Sequence, residues 1–115
     1  MIYIIDDDEI MAECIARACK GEVRIFSNAI EAMNGISEGE LPSLIFLDVL
    51  LDGPDGFTFL NEMVSYPDTA KVPVIIVTSL DLQGWDLREY GVVKILHKDT
   101  MTPGEIRECV EEYGG

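Results

Sequence analysis

Asp6, Asp7, Asp48, Thr78 and Lys98 are the side chains of this sequence whose types and placement could do chemistry together. Each follows a mainly apolar run: Ile2-Tyr3-Ile4-Ile5, Leu44-Ile45-Phe46-Leu47, Val74-Ile75-Ile76-Val77 and Val93-Lys94-Ile95-Leu96-His97. Carboxylates gathered at neighbouring strand ends repel, so they must either bind a proton or hold a cation. Mg2+ suits such a site because it takes one or two protein carboxylates and keeps positions for water and a phosphate oxygen. Calcium fits less well, since no loop supplies the six or more oxygens it prefers. An aspartate can also be a nucleophile, forming an aspartyl phosphate when cationic groups neutralise the incoming phosphoryl oxygens. Asp48 is the best-placed nucleophile, Lys98 its counter-charge and Thr78 a hydroxyl donor.

Taken singly, each residue has an ordinary explanation. An Asp after a strand is a turn or cap residue, Thr78 a satisfied strand-end hydroxyl and Lys98 a solvated charge. Their joint placement at four strand ends is what points to a site. His97 reads as an edge-strand residue and Trp85 as hydrophobic cover.

The elements that must position them follow from periodicity. Apolar runs bounded by turn residues predict strands at 2–5, 44–47 and 74–77, buried on both faces. Arg24 interrupts the strand at 23–26 and Lys94 the strand at 93–97, which suits sheet edges. Asp8 caps a helix whose apolar face is Ile10, Met11, Cys14, Ile15 and Ala18, with Gly21 beyond its end. Asn28 and Glu31 open a second helix carrying Ile30, Met33 and Ile36 and ending near Gly39. Phe57, Phe59, Leu60, Met63 and Val64 predict a third that stops before Pro67. Leu80 to Gly91 has no clean stripe, which predicts a short or irregular helix. Thr102-Pro103-Gly104-Glu105 is a capping-box start for the last helix, with Ile106, Cys109, Val110 and Tyr113 on its apolar face.

Alternating strands and helices imply right-handed crossovers and a parallel sheet covered on both faces. The predicted fold class is α/β: a flavodoxin-like, doubly wound, five-stranded parallel sheet of order 2-1-3-4-5. In such sheets ligands bind beyond the carboxyl ends of the strands, where the five chemical side chains stand.

At 115 residues and 48% hydrophobic content the chain supports one core and one domain. Its 22 acidic and 8 basic residues give a net charge of −14, which opposes nucleic acid and anionic membrane and favours cations or basic surfaces. Cys14, Cys19 and Cys109 are odd in number and lack Cys-x-x-Cys spacing, so buried thiols in a reducing compartment, by default the cytoplasm, are expected. No signal peptide or apolar run of ~18 residues is present.

The chain resembles the response regulator receiver domain of two-component signalling, and is similar to its stand-alone chemotaxis type. The resemblance rests on Ile-Ile-Asp-Asp-Asp, Leu-Asp-x-x-Leu-x-x-x-Asp-Gly, Val-Thr-Ser and Leu-His-Lys-Asp, in order across the chain. It implies Asp48 as phosphoacceptor, Asp7 as direct Mg2+ ligand, Asp6 as the acid acting through water, and the Leu50 backbone carbonyl as third protein ligand. Thr78 and Lys98 would each engage a phosphoryl oxygen. The implied function is a switch rather than an enzyme. A histidine kinase, a histidine phosphotransfer protein or a small phosphodonor loads Asp48, and the chain assists its own phosphorylation and dephosphorylation. Thr78 then moves inward, and the face made by the segment before the fifth strand, that strand and the last helix repacks for a downstream protein target. The resemblance implies a single receiver domain over residues 1–115 with no output domain, a monomer or weak dimer, without nucleic acid or membrane.

The chain departs from the family pattern at several positions. Asp52 stands where a proline is usual four residues after the acceptor, and Asp99 where one is usual after the lysine. Ile95 occupies the aromatic switch position, and the Thr78 to Lys98 segment is short by family standards. Leu50 and Leu80, at positions that influence hydrolysis in the family, cannot orient an attacking water, which predicts a slowly decaying phosphorylated state. An alternative reading is a non-switching, receiver-like protein-binding module. A small-molecule phosphatase is disfavoured, because the loop after Asp48 lacks a second acid two residues on.

Overall fold

A computed structural model of the chain describes residues 1–39, 41–49, 56–82 and 86–114. Strands β1 (Ile2–Ile5), β2 (Val23–Phe26), β3 (Leu44–Leu47), β4 (Val74–Thr78) and β5 (Val92–His97) form one parallel sheet of order β2-β1-β3-β4-β5. The expected order and edge strands are both found. Helices α1 (Glu9–Ala18), α2 (Ala29–Ser37), α3 (Gly56–Val64), α4 (Pro67–Ala70) and α5 (Pro103–Tyr113) cover its faces.

The all-apolar strands are explained by the two cores. Tyr3, Ile5, Ile45, Leu47 and Ile76 point to one face and pack with Ala32 of α2 and Phe59, Leu60 and Met63 of α3. Ile2, Ile4, Leu44, Phe46, Ile75 and Val77 point to the other and pack with Ala12 and Ile15 of α1 and Ile106 and Cys109 of α5. Successive strand residues alternate between faces, so a central strand here has no position for a polar side chain until it ends.

Capping sets the helix starts. The Asp8 carboxylate accepts from the amides of Ile10 and Met11, and Asn28 from that of Glu31. Thr102 and Glu105 make the reciprocal capping box at α5, with Pro103 in its first turn.

Three expectations need correction. In α1 the buried residues are Ala12, Ile15 and Ala18, while Ile10 is 79% exposed and Cys14 is exposed. At ~100° per residue Ile10 and Cys14 fall away from that stripe, and small Ala12 lies against the sheet. Cys14 is therefore not a buried thiol; Cys19 is half-buried and Cys109 buried. In α2, Ala29, Ala32 and Gly35 face inward and Ile30 is exposed, because an added Cβ at Gly35 would lie 2.9 Å from the Tyr3 hydroxyl. The helix approaches the sheet too closely for larger side chains.

The one-turn helix α4 was not expected; Pro67 begins it, preset for the first helical position. Between β4 and β5 the described residues hold a single 3-10 turn, Arg88–Tyr90, in keeping with the irregular segment anticipated there. Leu50, Asp52 and Trp85 lie outside the described residues.

Candidate functional site

The sheet register assembles the site. Ile5 pairs with Leu47, so Asp6 and Asp48 leave adjacent strands at the same level, and the Asp48 amide donates to the Ile5 carbonyl at 2.9 Å. Thr78 pairs with His97 across β4 and β5, and the Lys98 amide donates to the Thr78 carbonyl at 2.8 Å. Four of the five side chains are thus placed by backbone ladders, and Asp7 follows Asp6.

The carboxylates of Asp6, Asp7 and Asp48 each offer an oxygen within 4.8 Å of the others; Asp6 and Asp48 are buried and Asp7 is exposed at the rim. Lys98 reaches across from β5. Its Nζ lies 2.9 Å from Asp48 Oδ2 and 3.1 Å from Asp6 Oδ2, with its side chain only 15% exposed. Three carboxylates against one ammonium leave two negative charges on the cluster.

Asp6 bears an electrostatic cost. Burial pushes its carboxyl above the ordinary value, against the opposing effects of the Asp8 amide and Lys98, and the Asp48 charge adds to the upward push. Its Oδ2 is buried and, although close to Lys98, receives no hydrogen bond of good geometry from the described residues. For Lys98, burial acts to lower the pKa, but its hydrogen bond to Asp48 and its ion pair with Asp6 outweigh it and the net direction is upward. The ammonium is held charged between two carboxylates.

Thr78 is fully buried, and its Oγ1 accepts from the Leu80 amide at 3.1 Å. A hydroxyl that accepts in this way can also donate. The structure therefore brings Asp6, Asp7, Asp48 and Lys98 together and places Thr78 at the end of the strand between them. The Leu50 carbonyl lies outside the described residues.

Two features were not anticipated. Lys98 bridges Asp6 as well as Asp48, a pairing that depends on β5 register and has no local sequence signal. Gly56 is the other: an added Cβ would lie 2.5 Å from Val49 Cα and 3.0 Å from the Asp48 carbonyl oxygen. The Asp-Gly pair at the start of α3 was its only trace in the sequence.

Residues 2–111 match the response regulator receiver domain family. The chain belongs to that family. It is a receiver domain of two-component systems, a family of phosphoacceptors rather than enzymes of the ordinary kind. The response regulator PleD of Caulobacter vibrioides is 31% identical over 85 residues, covering 72% of this chain and 19% of PleD. This chain spans about a fifth to a third of the length of the first curated relatives it matches. The receiver domain of NtrX from Brucella abortus superimposes with a TM-score of 0.83 at 21% identity, covering 97% of this chain and 96% of that one. A response regulator from Chloroflexus aurantiacus reaches 0.78 at 30% identity, covering 96% and 93%. Receiver domains bind Mg2+ at an acidic pocket, and the cluster of Asp6, Asp7 and Asp48 is consistent with that site. No helix among the described residues is long and apolar enough to cross a membrane.

Proposed function

We propose that this receiver domain is phosphorylated on Asp48 in the presence of Mg2+ and signals through a changed protein-binding surface. The observation that carries the reading is the Lys98 ammonium set between Asp48 and Asp6, with Asp7 alongside. A hard divalent ion suits the site, because the donors are carboxylate oxygens, the cluster holds excess negative charge, and the buried Asp6 Oδ2, though paired with Lys98, receives no hydrogen bond of good geometry from the described residues. Asp6, Asp7, Asp48 and the Leu50 carbonyl would hold it. When bound, the ion would screen the charge between the acceptor and an incoming phosphoryl group.

The chain's own residues account for the transfer. One Asp48 oxygen attacks phosphorus, the bond from phosphorus to a donor histidine nitrogen breaks, and the departing imidazole takes up a proton from water. Lys98 exchanges its contact with Asp48 Oδ2 for a phosphoryl oxygen, and Thr78 keeps the Leu80 amide on Oγ1 while its O–H donates to another. Because Thr78 and Lys98 are joined through the β4–β5 ladder, their movement passes to β5, where Ile95 is 38% exposed. The donor is a histidine kinase, a histidine phosphotransfer protein or a small phosphodonor, the reader a downstream protein, and the setting the cytoplasm.

Calorimetric titration with Mg2+ followed by beryllofluoride tests the site. Binding of both by the native chain, with beryllofluoride binding lost in Asp48→Asn, is expected. No Mg2+ binding and no beryllofluoride response would leave a non-switching binding module in its place.

A further inference from the structure

Away from the acidic cluster, two cavities of about 250 and 470 Å³ adjoin along the outer side of α2, α3 and α4 and share Met33 and Glu62. Together they make one groove, whose apolar floor and walls include Ile30, Met33, Ile36, Leu41 and Tyr66. Ile30 is 55% exposed, Leu41 49% and Tyr66 57%. These are three of the nine large apolar side chains exposed among the described residues, and they gather in one place rather than scatter. The close seat of α2 at Gly35 explains the place of Ile30: the helix turns its small residues inward and its large ones toward the groove.

Charge selects the occupant. The titratable carboxylates on the lining are Glu62 and Asp68, and no Lys, Arg or His stands on it among the described residues. A second copy would bring the same acids face to face on a chain of net charge −14. Helical walls offer no strand edge, so an extended peptide would leave its backbone groups unpaired, whereas a helix satisfies its own. Ile30 to Ile36 spans ~9 Å along α2 at ~1.5 Å per residue, and Leu41 and Tyr66 lengthen the track. That length matches anchors at i, i+4 and i+7.

We infer that this groove docks an amphipathic helix of a partner protein, with apolar anchors on Ile30, Met33 and Tyr66 and Lys or Arg on its flanks facing Glu62 and Asp68. The surface is separate from the phosphorylation site and does not depend on the reading of Asp48.

The test is a titration of the isotope-labelled chain with a synthetic amphipathic helix carrying Leu at i, i+4 and i+7 and Lys on its flanks. Chemical-shift changes should concentrate on α2, α3 and Tyr66. Binding should weaken about tenfold or more in Ile30→Ser and in Tyr66→Ser, both exposed enough to leave the fold intact by circular dichroism. A Glu-flanked version should not bind. The inference is overturned if a scrambled peptide binds equally well, if the shifts map elsewhere, if both variants bind like the native chain, or if the groove signals report self-association that rises with protein concentration.

Discussion

The Lys98 ammonium lies 2.9 Å from Asp48 Oδ2, joining the end of β5 to the end of β3 across the intervening β4. With Asp6 as its second partner at 3.1 Å, the ammonium faces both buried carboxylates of the cluster.

Replacing Lys98 by Met therefore removes the cation that two buried carboxylates face. Metal-free stability should fall by about 1–3 kcal/mol, less than a fully buried pair would lose because the side chain retains some exposure. Mg2+ should restore most of it and bind more tightly, its competitor being gone. Denaturant unfolding with and without Mg2+ measures both. In the native chain the Lys98 contribution is complete below the ordinary lysine pKa and is lost as pH rises through its raised folded value.

Asp6→Asn should act in the opposite direction. The folded protein holds the Asp6 carboxyl above its ordinary pKa, so its ionised form costs stability at neutral pH, and that cost builds as pH rises past the unfolded value. The variant should raise the metal-free melting temperature by a few degrees, on the order of 1 kcal/mol, and lose the Mg2+-induced rise. Thermal melts at matched pH with Mg2+ or chelator decide it.

Much of this arrangement was legible before the structure. The apolar runs ending in Asp6, Asp48 and Thr78 disclosed both the strands and the candidate site, because a strand buried on both faces shows polarity only where it ends; Lys98 follows an edge strand that Lys94 already interrupts. What escaped was contact geometry. Ile10 and Ile30 looked like core residues by type, but Ile10 falls off the Ala12, Ile15 and Ala18 stripe of α1, and α2 sits so near the sheet at Gly35 that Ala32 and Gly35 take the inward positions. Lys98 meeting Asp6 required the register of β5, which no local pattern encodes.

Gly56→Ala weighs a helix-propensity gain of ~1 kcal/mol against a clash with backbone atoms on both counts, Val49 Cα and the Asp48 carbonyl oxygen. Neither atom can rotate away, so the clash should win and destabilise the fold by about 1–3 kcal/mol. A fall in the denaturation midpoint, with weaker Mg2+ binding, is the expected outcome.

Thiol labelling should separate the three cysteines. Cys14 is exposed, Cys19 has its pKa pushed up to about 11 chiefly by burial, and Cys109 is buried with its pKa also raised by burial. The thiolate is the reactive form, so at neutral pH a maleimide should modify Cys14 first, Cys19 far more slowly and Cys109 only on unfolding. Peptide mass spectrometry over a time course reads the order.

Phosphoryl uptake from acetyl phosphate tests the role of Asp48 as phosphoacceptor. The chain is incubated with acetyl phosphate and Mg2+, reduced with borohydride to convert an acyl phosphate to homoserine, and mapped by mass spectrometry. One Mg2+-dependent modification is expected, at Asp48 and absent in Asp48→Asn; no uptake, or uptake that persists in that variant, would contradict a phosphoacceptor role for Asp48.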